Sequence, residues 1–134
     1  MIEIEENIWT EMLYKTISEF ETCKFFDVDV LLNEKFTKEN GIVYKFYVES
    51  KNGFELKYIG KSTGEYFKTR LKAHFKNIGK GTQSKFKKIE FEQKHKRKVL
   101  VKYIETKPIY LRNLVEEMLI DYYKNKIELW NYKN

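Results

Sequence analysis

Apolar residues recur at helical spacing along the first twenty positions. Ile4, Ile8, Met12 with Leu13, Ile17 and Phe20 fall three or four apart, which predicts one amphipathic helix over residues 4–20. Residues 21–40 follow no single period. Asp27-Val28-Asp29-Val30 alternates like a strand, while Leu31 to Phe36 suits a helical turn, so that stretch stays open. From Gly41 the period becomes two: Ile42, Tyr44, Phe46 and Val48 alternate with Val43, Lys45, Tyr47 and Glu49. After Lys51-Asn52-Gly53 the alternation resumes, with Phe54, Leu56 and Tyr58 against Glu55, Lys57 and Ile59. Two such runs about an Asn-Gly predict a β-hairpin. A three-residue loop, Lys51-Asn52-Gly53, would place Gly53 in the left-handed region that its missing Cβ tolerates. It would also oppose Phe46 to Tyr58 and Val48 to Leu56, so that the apolar faces coincide. A two-residue turn would pair Tyr47 with Tyr58, an apolar face against a polar one, and is the less favoured choice.

The helical period returns over residues 65–78, with Tyr66, Leu71, His74 or Phe75, and Ile78 along it, and Gly79 and Gly81 to end it. Thr82 or Ser84 is placed to cap a second, very basic helix running to about Lys94. Lys98 to Glu105 has the β-branched content of a third strand, and Pro108 opens a last helix with Leu111, Leu114, Met118 and Tyr122 as its stripe. This order predicts an α+β fold: a small three-stranded antiparallel sheet flanked by helices, with an extra N-terminal helix.

Composition narrows the class. With 134 residues the chain suits one domain, and 42% hydrophobic with 16% aromatic residues excludes disorder as the main state. The single cysteine, Cys23, excludes an intramolecular disulfide and every multi-cysteine zinc site. No apolar run approaches the ~18 residues of a membrane span. The start, Met1 to Glu6, lacks the basic and apolar regions of a signal peptide, so a soluble, cytoplasmic protein is expected. Charge is uneven: residues 1–40 hold 4 Lys against 10 Asp/Glu, whereas residues 57–102 hold 15 Lys/Arg against 3 Glu. A folded block at +12 points to a polyanionic partner, because neutralised phosphates release counterions and supply affinity independent of sequence. Lysines kept for solubility are the plain alternative. An acidic membrane surface fits less well, since no helix in the basic block has a bulky apolar face to spare.

Gly60-Lys61-Ser62 ends like a phosphate-binding loop, but the first glycine of that pattern would be residue 55, a glutamate, and no glycine-rich backbone precedes it. A nucleotide cofactor is therefore not expected. A different constellation runs in order through Gly41-Ile42-Val43-Tyr44, Tyr58-Ile59-Gly60-Lys61, Arg70, His74, Glu116 and Asn131. It resembles the GIY-YIG nuclease superfamily, whose domain cuts DNA phosphodiesters with a divalent metal. The stretch Arg70-Leu71-Lys72-Ala73-His74-Phe75 looks like the corresponding helix of phage homing endonucleases, and Lys80-Gly81-Thr82 falls where that group has a Lys-Gly turn. The resemblance covers residues 41–131 and divides the chain into an acidic helical extension, 1–40, and a nuclease-like domain, 41–134. The first motif departs from the pattern by one extra residue before its tyrosine. Tyr47 is a rival to Tyr44 by its interval to Tyr58, but the hairpin register puts Tyr44 on the face of Tyr58. Glu117 is a rival to Glu116, and Glu116 better suits the interval to Asn131.

Each of these residues has a plain role when taken alone: half-buried strand aromatics, a solvated arginine, an interfacial histidine, an exposed carboxylate, a tail asparagine. Together, the resemblance implies a catalytic set of Tyr44, Tyr58, Lys61, Arg70, His74, Glu116 and Asn131. One phenol, with its pKa lowered beside Lys61, would act as general base, and the choice between Tyr58 and Tyr44 stays open. Arg70 would grip the scissile phosphate, and His74, one helical turn on, would bond the phosphate or assist proton transfer. Glu116 would hold one Mg²⁺ or Mn²⁺, and Asn131 would support the site, which predicts an ordered C-terminal segment. Lys85, Lys87, Lys88, Lys94, Lys96, Arg97 and Lys98 would form the DNA phosphate track, while His95 reads as surface. A nucleic-acid-binding module without activity is the second expectation. Sequence preference and oligomeric state stay open.

Overall fold

The period-two segment becomes the centre of the molecule. In the computed structural model, which describes residues 1–79 and 84–132, β1 (Gly41–Ser50) lies between β2 (Gly53–Thr63) and β3 (Val99–Thr106), antiparallel to both. Helices α1 (Glu6–Thr22) and α5 (Leu111–Tyr123) contribute to the apolar cluster on one face. Helices α2 (Val28–Leu32), α3 (Phe67–Lys76) and α4 (Phe86–Lys94) contribute to the cluster on the other. A turn of 3-10 helix, Trp130–Tyr132, follows α5. The fold is α+β, a three-stranded antiparallel sheet flanked by helices, an N-terminal one among them. Because β1 is covered on both sides, residues of both its alternating sets are buried. Ile42, Tyr44, Phe46 and Val48 enter the α2–α4 cluster, and Val43 enters the α1–α5 cluster.

The hairpin departs from expectation at its tip. Ser50 pairs with Gly53 across a two-residue turn, Lys51-Asn52, not a three-residue loop. Gly53 does take a positive φ of 118°. Val48 then opposes Glu55, not Leu56, while Phe46 still opposes Tyr58. The two registers are reconciled by a β-bulge at Lys57, the one residue of β2 left over between the Tyr47–Leu56 and Phe46–Tyr58 pairs. The extra residue reverses the strand's parity. Phe54 and Leu56 turn to the α1 side, against Phe25 and the second cluster, while Tyr58 stays with Tyr44 and Phe46.

Other boundaries shift for identifiable reasons. The helix expected over 65–78 is α3, ten residues long; Tyr66 and Ile78 lie outside it, exposed, and Asn77 ends it in the left-handed conformation (φ 56°). Gly79 follows at φ 101°. Lys80-Gly81-Thr82 lies outside the described residues, so the Lys-Gly turn and the Thr82 cap do too. Ser84 sits ahead of α4, where its Oγ accepts the Phe86 N–H (3.2 Å) and donates to the Ala73 carbonyl (2.8 Å). In α1 only the C-terminal half packs, through Leu13, Thr16, Ile17 and Phe20; Ile4 and Ile8 are exposed. In α5 the buried line is Val115, Met118 and Leu119, with Leu114 and Tyr122 only half-buried. The undecided stretch resolves into a bridge and a helix: Phe26 exchanges two main-chain hydrogen bonds with Val101 before α2 begins. Phe20, Val28 and Leu31 are buried against the sheet, so residues 20–31 share its core. Among the described residues no helix is long and apolar enough to cross a membrane.

Candidate active site

The site is built at a sheet edge. β2 is an edge strand, so side chains on either of its faces reach the same rim. Tyr58 belongs to the α2–α4 face and Lys61, three residues on, to the opposite one. Around that rim a cleft of about 440 Å³ is lined by Tyr58, Lys61, Arg70, Lys85, Glu116 and Asn131, with Ile120 and Tyr132. α3 supplies Arg70 from one layer and α5 supplies Glu116 from the other. Lys61 and Glu116 meet across the edge, Nζ to Oε1 3.4 Å. Glu117 is exposed and does not line the cleft. Asn131 accepts from the Ile59 N–H (3.1 Å) and donates to the Ile59 carbonyl (2.7 Å), which fastens the residues after α5 along β2.

Tyr44 is not in the cleft but beneath it. Its ring is fully buried, packed between Phe46, Phe67 and Tyr58. Gly60 pairs with Tyr44 on the neighbouring strand, and a Cβ at Gly60 would run into the Tyr44 ring. This is why a glycine stands there. Tyr47, the rival, points to the other face, where its ring meets Phe25 edge-on.

His74 is also fully buried, so it is placed to act on Tyr44 and not on a phosphate. The Lys85 backbone N–H donates to His74 Nδ1 (3.0 Å), which leaves the proton on Nε2, 3.1 Å from Tyr44 Oη. Burial, then the charges of Arg70 and Lys85, depress its pKa to about 3, so the ring is neutral. The donors therefore point one way, from the Lys85 amide through His74 to the phenol of Tyr44. The Tyr44 ring in turn packs against Tyr58, centroids 6.1 Å apart.

The expected lowering of a phenol pKa is not present. Burial raises both tyrosines above the ordinary value, the more deeply buried Tyr44 far more, and Arg70 pulls both partly back. Of the two, Tyr58 is the one that meets the cleft and ionises first. Burial likewise raises Glu116, against the pull of Lys61.

Among the described residues Glu116 is the only carboxylate lining the cleft, and no three His, Cys, Asp or Glu converge as a ready-made metal cage. One carboxylate suits a hard cation that keeps most of its waters and takes its remaining ligands from substrate oxygens, so the donor set fits Mg²⁺ or Mn²⁺ and not zinc.

The basic residues divide. Lys85 lines the cleft, its Nζ 5.7 Å from the Tyr58 ring centroid. Lys87 and Lys88 follow on the first turn of α4. Lys94 pairs with Glu90 (3.6 Å) and Arg97 with Glu92 (2.7 Å). Lys96, Arg97 and Lys98 face a separate cleft of about 550 Å³ shared with Asp27 and Asp29. Sequence reasoning missed Ile120 and Tyr132 as lining residues. Ile120 was findable, since it lies one helical turn beyond Glu116. The main-chain bond from Lys85 to His74 had no sequence signal. Compared with known proteins, the chain matches no family model, no curated protein and no solved structure.

Proposed function

We propose that the protein is a metal-dependent DNA endonuclease of GIY-YIG type, working from the cleft at the β2 edge. The observation that carries this is the convergence of Tyr58, Lys61, Arg70, Glu116 and Asn131, from four separate elements, on one rim. Tyr58 is the general base: ionised with the help of Arg70 and against the cost of burial, its phenolate takes a proton from water that attacks phosphorus. Arg70 and Lys61 offset the charge that builds on the phosphoryl oxygens, and the 3′ oxygen leaves. Glu116 is the side chain that would hold the divalent cation, whose chemistry there is to neutralise phosphate charge. Tyr44, His74 and Asn131 are positioning residues.

The test is incubation of supercoiled plasmid with the protein in Mg²⁺ or in EDTA. Nicked or linear product in Mg²⁺, absent with EDTA and absent with Glu116→Gln, is the expected result. DNA binding without cleavage in either metal would leave a binding module instead.

A further inference from the structure

Phe91 stands on α4 with 55% of its surface exposed, in a segment where residues 85–98 carry seven Lys/Arg and two Glu. Its surroundings are ordered. The His95 ring lies 4.3 Å from the Phe91 ring, centroid to centroid, and His95 Nδ1 donates to the Phe91 carbonyl at 2.8 Å, which fixes the imidazole against its neighbour. The Arg97 guanidinium stands 5.8 Å from the same ring and is itself held by Glu92 at 2.7 Å. The result is a two-ring platform, held in place and rimmed with cations. Exposed aromatic rings set among cations are what proteins use to stack unpaired bases, and each such contact contributes severalfold to a hundredfold in affinity.

The platform is connected to the cleft. Lys85, at the start of α4, lines the cleft, and Lys88, Phe91 and Lys94 follow it at intervals of three, in a row that winds round the helix away from the cleft. Six residues of helix carry Phe91 about 9 Å along the axis from Lys85, a distance of two to three nucleotide steps at roughly 3.4 Å each. Resting on the endonuclease reading, we propose that Phe91 and His95 form a stacking site for an unpaired nucleobase a few nucleotides from the scissile phosphate. The preferred substrate is accordingly DNA with a single-stranded stretch beside a duplex.

The experiment uses the full chain carrying Glu116→Gln and three fluorescent DNAs at one salt concentration: a duplex, a single-stranded oligonucleotide and a duplex with a single-stranded tail. Tailed and single-stranded DNA should bind more tightly than duplex. Phe91→Ala should cost them about tenfold and leave duplex affinity within twofold, while Phe91→Trp restores binding. A 2-aminopurine base in the tail should lose fluorescence on binding the parent protein and not the Phe91→Ala variant. Because Phe91 is exposed, the melting temperature should not move, and a large fall would overturn its assignment as a surface group. Equal loss on duplex and tailed DNA, or none on either, overturns the platform. Phe91-dependent binding with no plasmid cleavage by the wild type would keep the platform and discard the nuclease. No binding to any of the three would discard both.

Discussion

Arg70 tests the chemistry most directly. It is one cation among several at the cleft, so Arg70→Ala should leave DNA affinity within a few-fold. Cleavage should fall by about 10²–10³, as for the loss of an oriented oxyanion donor, and gel cleavage with anisotropy at matched salt reads the two apart. Glu116→Gln should abolish metal-dependent cleavage and Glu117→Gln should not, since Glu117 is exposed and away from the cleft. Tyr44 shares a face with Tyr58 only because the bulge at Lys57 reverses the parity of β2, which the alternation of the sequence does not show. That Tyr58 meets the cleft while Tyr44 lies buried beneath it was hidden as well. It depends on which ring reaches the sheet rim, a matter of the third dimension. The raised phenol pKa was hidden for the same reason, because burial cannot be read from a local charge count.

At the scale of an element, β1 and β2 carry two unusual demands. Gly60→Ala would press a methyl into the Tyr44 ring, which His74, Phe46 and Phe67 hold from the other sides. Overpacking of this kind should cost about 1–3 kcal/mol in urea denaturation and reduce cleavage beyond what the stability loss explains. On the opposite face, Lys45 is 2% exposed, its ammonium over the rings of Phe20 (4.1 Å) and Tyr123 (4.9 Å), with Lys102 opposite it in the sheet. Burial and then Lys102 depress its pKa from 10.5 to about 7. Between these two values the unfolded chain binds more protons than the folded one, so stability rises with pH; below about 7 the penalty is constant. From pH 7 to pH 9 the gain should be of the order of 2 kcal/mol, and Lys45→Met should remove it in urea titrations at the two pH values. A lysine inside β1 looked merely polar in sequence. The hairpin tip was misjudged for a related reason: a bulge leaves the alternation intact on each side and only changes which faces agree.

Across the whole molecule, charge is arranged by position and not only by amount. The basic run that looked continuous in sequence divides between the cleft at the β2 edge, the exposed side of α4 and a mixed-charge cleft near α2. With Glu116→Gln protein, log affinity for DNA should fall linearly with log salt, at a slope near −4 to −5 for about four to six neutralised phosphates. Lys87→Gln with Lys88→Gln should flatten that slope by up to about two units. Lys96→Gln with Lys98→Gln should do less, because Asp27 and Asp29 share their cleft. Fluorescence anisotropy over a salt series measures all three. Fold class and the helix count after the hairpin were readable because hydrophobic period survives in one dimension. The participation of residues 20–31 in the core was not, since Phe26 reaches Val101 across 75 positions of sequence.

The clasp that Asn131 makes on Ile59 has a consequence for solubility. An edge strand offers unsatisfied amide and carbonyl groups to any passing strand, and proteins that leave such an edge bare invite association edge to edge. One primary amide, accepting from one N–H and donating to the carbonyl of the same residue, imitates a neighbouring strand for the length of one residue and occupies that template. Asn131→Ala would therefore open β2 as well as loosen the cleft. The expected outcome is a variant that gains thioflavin-positive aggregates at concentrations where the parent stays clear, even before its activity is assayed.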